Sequence, residues 1–140
     1  QSRSVSTSLN EVCASDDALF FFPSGQCSRM QPDGTIRDNE WKKTFISKAR
    51  EYGRDIIPVH FDGRLSDFFY KLSYYRMKFG IKTNIEMLYL ADELFKQKDK
   101  TYTVVFGNPI SCRTLDSSKC DKEWAREIQN ISYGLTSREN

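Results

Sequence analysis

Two stretches of this sequence put residues able to do chemistry at the ends of apolar runs. The first is Phe22-Pro23-Ser24-Gly25-Gln26-Cys27-Ser28-Arg29, following Ala18-Leu19-Phe20-Phe21. The second is Asp62-Gly63-Arg64, following Ile56-Ile57-Pro58-Val59-His60-Phe61. In each, an arginine stands close to a glycine, so a guanidinium and backbone N–H groups can converge on a phosphate or carboxylate. Ser24, Gln26 and Ser28 add groups able to orient neighbouring hydroxyls. Serine-hydrolase chemistry would need a nucleophile, a base and an orienting acid within reach of one another. Phe22 occupies the position where a nucleophile elbow has its first glycine, and His60 is the single histidine. A Ser24/His60 hydrolase is therefore the minor alternative, set against a packed histidine in an apolar strand. Cys13, Cys27, Cys112 and Cys120 show no C-x-x-C spacing, and no set of zinc ligands converges. Glycine-rich phosphate loops are absent. No metal and no bound cofactor are expected.

The periodicity predicts how these candidates are positioned. Residues 18–22 show no polar alternation and read as a strand buried on both faces. The loop behind them lies where open α/β sheets hold ligands, or is a plain tight turn. Asp38 is placed to cap a helix over 39–52, with Trp41, Phe45, Ala49 and Tyr52 on one face and Gly53 as its stop. Residues 56–61 form the next strand, in which Pro58 favours a strand end or a sheet edge. Strand, helix, strand in this order is a right-handed βαβ unit with parallel strands. Ser24, Gln26, Ser28 and Arg29 would then share a cleft with Asp62, Gly63 and Arg64. The expected fold is α/β: a mostly parallel sheet with this βαβ unit and flanking helices.

The flanking elements follow the same logic. Val5, Leu9 and Val12 space a helix over 5–14, and Pro32-Asp33-Gly34-Thr35 is a turn. Residues 65–79 carry two stripes. Phe68, Leu72, Tyr75 and Phe79 are expected in the core, while Lys71, Tyr74 and Lys78 are candidates for an anionic membrane surface. Thr83 and Glu86 form a capping box for a helix to about Lys98, with Met87, Leu90 and Leu94 inward. Residues 101–106 are a third strand, and Trp124, Ile128, Ile131 and Leu135 mark a last helix.

The chain has 140 residues, a length that suits one domain, with residues 1–4 and 136–140 frayed. A formal charge of +2 gives no argument for nucleic acid, and no apolar stretch reaches the length of a membrane span. Unpaired cysteine spacing suits a reducing, cytoplasmic compartment. Gln1, in place of an initiating Met, suits a processed chain or a piece of a longer one.

These blocks resemble the glycerolipid acyltransferases of the 1-acylglycerol-3-phosphate type, in particular their bacterial hemolysin-like branch. Phe22-Pro23-Ser24-Gly25 with Ser28-Arg29 is similar to that family's acceptor-binding block, with Ser24 at a position many members fill with an acidic residue. The run from Ile57 to Arg64 is similar to a later block that ends a strand in Pro-Val and a glycine. Residues 36–45, Glu93-Leu94-Phe95 and Gly107-Asn108-Pro109-Ile110 also look like the branch. The resemblance covers roughly residues 9–135. It implies the C-terminal portion of an acyltransferase that moves a fatty acyl group from CoA or acyl-carrier protein to a lysophospholipid-like hydroxyl, in phospholipid biosynthesis. It further implies that Phe22, Pro23, Ser24, Gly25, Ser28, Arg29 and Pro58 bind the acceptor, Arg29 meeting its phosphate or carboxylate.

The family's catalytic pair is a His, then four residues, then an Asp, the His acting as base on the acceptor hydroxyl. Here the fifth position after His60 is Leu65. The dyad is expected upstream of Gln1, and this chain alone is expected to be inactive. Peripheral attachment at the inner face of the cell membrane is the expected location. The alternative from a different class is a non-catalytic lipid- or membrane-surface-binding module.

Overall fold

The computed structural model describes residues 9–135; the expected frayed ends and Val5 lie outside them. The elements are α1 (residues 9–14), β1 (Arg29–Met30), β2 (Ile36–Arg37), α2 (Thr44–Tyr52), β3 (Val59–Asp62), α3 (Asp67–Lys78), α4 (Leu90–Lys96), β4 (Thr103–Phe106) and α5 (Asp121–Gly134). Single 3-10 turns occupy Ile85–Tyr89 and Cys112–Thr114. The architecture is mixed α/β, and the chain divides into two compact units.

The first unit comprises the described parts of Gln1–Gly25, Glu40–His60 and Val105–Asn140. Its core is Phe45, Ile46 and Ala49 of α2 with Leu115 and with Trp124, Ala125 and Ile128 of α5. The apolar stripes of both helices account for this packing, each fully buried large side chain contributing roughly 1.5–3 kcal/mol. Gly53 ends α2 in the left-handed conformation, its N–H donating to the Ala49 carbonyl. Polar bonds fix the two helices: Ser47 Oγ donates to Asp121 at 2.7 Å, and Arg50 reaches Asp121 and the Leu115 carbonyl at 2.8 Å each. Arg54 ties down the end of α1 through the carbonyls of Cys13, Ser15 and Asp17.

Residues 18–22 are not a strand. Phe21 turns inward against Phe45 with ring centroids 6.0 Å apart, but Phe20 is 71% and Phe22 82% exposed. The expected parallel βαβ unit does not form among the described residues. Residues 56–62 find their partner downstream instead: β3 pairs with β4. Beside that sheet, Ile56 and Ile110 exchange antiparallel N–H···O bonds of 2.9 and 2.7 Å. An apolar run becomes a strand only where another edge takes its backbone groups, and that edge went to 103–110.

The second unit comprises Gln26–Asn39 and Phe61–Val104. Its hairpin, β1–β2, pairs Arg29 with Arg37 and Met30 with Ile36. The turn is the expected one: Asp33 Oδ1 accepts from the Thr35 N–H at 2.9 Å and its hydroxyl at 2.7 Å, and Gly34 takes φ +83°. Ser66 caps α3 by accepting from the Phe69 N–H at 3.3 Å.

The face α3 buries is not the expected one. Phe69, Tyr70 and Ser73 point inward, while Phe68, Tyr75 and Phe79 are exposed on the side that carries Lys71 and Lys78. The 83–98 segment departs similarly. It is a 3-10 turn followed by α4, with Glu86 and Glu93 buried and Met87 and Leu94 exposed. The expected capping box is absent, because Glu86 is drawn into an ion cluster rather than back to the helix start.

Candidate functional site

The Phe22–Gly25 segment is a tight turn closed by the Gly25 N–H donating to the Phe22 carbonyl at 3.1 Å. Gly25 has φ +66°, which L side chains rarely adopt. A Cβ there would also lie 3.1 Å from Lys42 Nζ. Lys42 is fastened to the same turn by its backbone, its N–H donating to the Pro23 carbonyl at 3.1 Å. Ser24 sits half-buried between Pro23 and Gly25. Pro58 is buried; its carbonyl accepts from the Gly107 N–H at 2.8 Å, and Gly107 packs so tightly that a Cβ would lie 2.8 Å from Leu135 and 3.0 Å from Pro58. His60 stands edge-to-face on Tyr133 of α5 at 6.1 Å, which is how a packed histidine is held. All these residues belong to the first unit.

The remaining candidates belong to the second. Gln26 Oε1 accepts from Asn39 Nδ2 at 3.5 Å, and Ser28 Oγ donates to Asp38 Oδ1 at 2.6 Å, so Asp38 does not cap α2. Arg29 is only 3% exposed. Its guanidinium donates to the carbonyls of Cys27 (2.9 Å) and Ser28 (3.3 Å) and to Glu86 Oε1 (3.3 Å), and lies 5.3 Å over the Phe69 ring. Glu86, fully buried, is shared with Arg76, whose Nε lies 2.7 Å from Oε2. Asp62, Gly63 and Arg64 are exposed. Arg64 pairs with Asp67 and lies 6.0 Å over the Tyr70 ring. Phe69 and Tyr70 touch edge-to-face at 5.9 Å, so both arginines of the sequence motifs rest on the first turns of α3. Burial pushes the Tyr70 phenol above its ordinary pKa.

Two buried carboxylates escaped the sequence reading. Glu86 joins Arg29 across 57 residues and Glu93 joins Ser66 across 27. Glu93 accepts from the Ser66 N–H at 2.6 Å and from its hydroxyl, with Lys96 at 3.1 Å. Burial works to raise the Glu93 pKa, but the Ser66 bonds and Lys96 outweigh it and hold the carboxyl below its ordinary value.

Lys71 and Lys78 are exposed and Tyr74 is half-buried, its ring against Tyr75 at 5.6 Å. Phe68 meets Tyr89 at 5.1 Å, and Lys96 Nζ stands 6.0 Å over Phe68. No helix among the described residues is long and apolar enough to cross a membrane, and none of their His, Cys, Asp or Glu groups could hold a metal ion. The four cysteines are free thiols.

A turn built on Phe-Pro-Ser-Gly, a lysine fastened to it and a buried arginine two residues beyond Cys27 are the features to compare with known proteins. An acyltransferase family model matches residues 1–138. The chain belongs to that family, the acyltransferases of glycerolipid type. It is 55% identical over 121 residues to a lyso-glycine lipid O-acyltransferase of Bacteroides thetaiotaomicron, covering 86% of this chain and 44% of that protein. It is 47% identical over 135 residues to a lyso-glycine lipid O-acyltransferase of Phocaeicola vulgatus, covering 96% of this chain and 48% of that protein. The chain thus spans about half the length of these relatives. No solved structure matches.

Proposed function

We propose that the protein carrying these residues transfers a fatty acyl group from a thioester, on CoA or acyl-carrier protein, to the hydroxyl of a lyso-lipid. The acceptor oxygen bonds to the acyl carbonyl carbon as the C–S bond breaks, and the hydroxyl proton ends on the departing thiolate. The observation that carries this is the 55% identity over 86% of the chain to a protein named as a lyso-glycine lipid O-acyltransferase. The same similarity favours a glycine-bearing acceptor over the lysophospholipid that the motifs alone suggest. The base is the His of a His-x-x-x-x-Asp pair supplied from outside these residues, and Ala18–Phe22, unpaired among the described residues, joins a mostly parallel sheet only where residues outside them supply the neighbouring edge. The turn at Phe22–Gly25 binds the acceptor. Attachment is peripheral, at the cytoplasmic face of the cell membrane, through the aromatic and lysine side of α3.

The test supplies labelled acyl-CoA or acyl-carrier protein and compares a lyso-glycine lipid with a lysophosphatidate. The full-length protein should esterify the first, and residues 1–140 alone should not. Absence of transfer to every lyso-lipid by the full-length protein refutes the reading; turnover by residues 1–140 refutes the external base.

The non-catalytic reading keeps one observation of its own: Phe79, Leu94 and Phe95 are each more than 70% exposed in the second unit, near several lysines in sequence. Stable binding to anionic vesicles without acyl transfer by the full-length protein would favour it.

A further inference from the structure

Arg29 is the cation the sequence offers to an acceptor's anionic group, yet it is buried and three of its donors already serve Cys27, Ser28 and Glu86. Lys42 is differently placed. Its backbone is bonded to Pro23 and its ammonium lies against Gly25, so both ends of the residue belong to the Phe22–Gly25 turn. A Cβ at position 25 would crowd that ammonium at 3.1 Å, and the φ of +66° there favours glycine in any case. Lys42 also lines an open groove of about 350 Å³ with Glu40, Trp41, Lys43, Thr44 and Lys122. The one carboxylate in the groove is already neutralised: Glu40 bonds Arg126 at 3.1 Å and Lys122 at 3.2 Å, and those two bases hold it ionised below the ordinary carboxylate range. Asp121, which feels the charge of Lys43, is likewise committed to Ser47 and Arg50. Lys42 and Lys43 form no ion pair among the described residues. Two exposed ammonium groups that form no such ion pair, one of them held on a turn by its own backbone, offer an anion site.

We propose that Lys42, assisted by Lys43, is the group on this turn that takes the anionic part of the acceptor headgroup, a carboxylate or a phosphate. This rests on the reading of the turn as the acceptor-binding element. The experiment compares Lys42→Gln and Lys42→Arg with the parent in the full-length protein. The acceptors are a lyso-glycine lipid with a free carboxylate, its methyl ester and a lysophosphatidate. Lys42→Gln should raise KM for whichever anionic acceptor is used by about tenfold or more, the size expected for losing a charge-assisted bond. kcat, the KM of the acyl donor and the KM of the methyl ester should stay unchanged, and Lys42→Arg should recover most of the loss. An equal effect on the ester, or an effect on the donor alone, overturns the proposal.

A binding measurement separates failure of this assignment from failure of the acyltransferase reading. N-dodecanoylglycine, titrated below its micelle concentration, is followed by quenching of Trp41 fluorescence in the groove. Lys42→Gln should weaken that binding about tenfold. Equal binding by parent and variant, or none by either, overturns the site whatever the enzyme assay gives.

Discussion

Replacing Glu86 by glutamine keeps the size and shape of the side chain and removes its charge. Glu86 is fully buried and stands between Arg29, 3% exposed, and Arg76, itself nearly buried. Without the carboxylate, two guanidinium groups remain in the interior with no counter-ion. Breaking a buried ion pair from one side costs roughly 3–5 kcal/mol. Arg29 keeps its bonds to two carbonyls and its place over Phe69, so the loss should fall near the lower figure. For a chain of this size, about 3 kcal/mol corresponds to a fall in Tm of roughly 10 °C. Urea unfolding followed by circular dichroism measures it, provided the transition is two-state in both proteins. A triple change, Arg29→Met with Arg76→Leu and Glu86→Leu, should recover most of the loss, because an apolar set of similar volume needs no counter-charges. A loss under about 1 kcal/mol for Glu86→Gln, the size of an exposed pair, would refute the argument that this cluster is desolvated.

The Glu93 carboxyl, held below its ordinary value by Ser66 and Lys96, gives a pH dependence of definite sign. Its contribution should be full above the unfolded glutamate value of about 4.3 and disappear as pH falls through the lower folded value. The difference in urea midpoint between the parent and Glu93→Gln should therefore shrink between pH 6 and pH 3, and a constant difference contradicts it. At the exposed side of α3, Lys71→Glu with Lys78→Glu should abolish sedimentation with anionic vesicles at low salt while leaving Tm within about 2 °C, since neither lysine forms an ion pair among the described residues. Binding by the double variant equal to the parent's would remove α3 from the membrane-facing surface.

What the sequence made legible was local. The Pro32–Thr35 turn follows from an aspartate able to accept from the residue two on and a glycine able to take positive φ. The stop at Gly53 and the inward stripes of α2 and α5 follow from the chain itself. What was not legible depended on distant partners. Periodicity located α3 but picked the wrong inner face, Phe68, Leu72, Tyr75 and Phe79 instead of Phe69, Tyr70 and Ser73, because both sides of the helix carry aromatics. Glu86 and Glu93 reach Arg29 and Ser66 far along the chain, and they are buried while Met87 and Leu94 are exposed. Residues 18–22 have every local mark of a strand and lack only an edge to pair with. Within the site, the Phe22–Gly25 turn was legible from Pro and Gly, while the closeness of Lys42 was not, since seventeen positions of chain separate it from Gly25.

The two kinds of cation in these motifs suit the tasks their surroundings give them. A guanidinium is planar, permanently charged and able to donate in several directions at once. Arg29 uses that geometry to join two carbonyls, a carboxylate and an aromatic face from one buried position. Such a group is poorly suited to exchange ligands, since releasing one acceptor leaves a buried donor unsatisfied at about 1–3 kcal/mol. A lysine ammonium is compact and strongly hydrated, and its long stem moves freely unless something anchors it. Lys42 is bonded to the turn through its main chain, by the Pro23 carbonyl, and its exposed ammonium, lying against Gly25, forms no ion pair among the described residues, so it can take an anion without giving up a counter-charge. On these grounds the arginine of the Ser-Arg motif is suited to holding its unit together, and the lysine on the turn to the anion-binding role proposed for it.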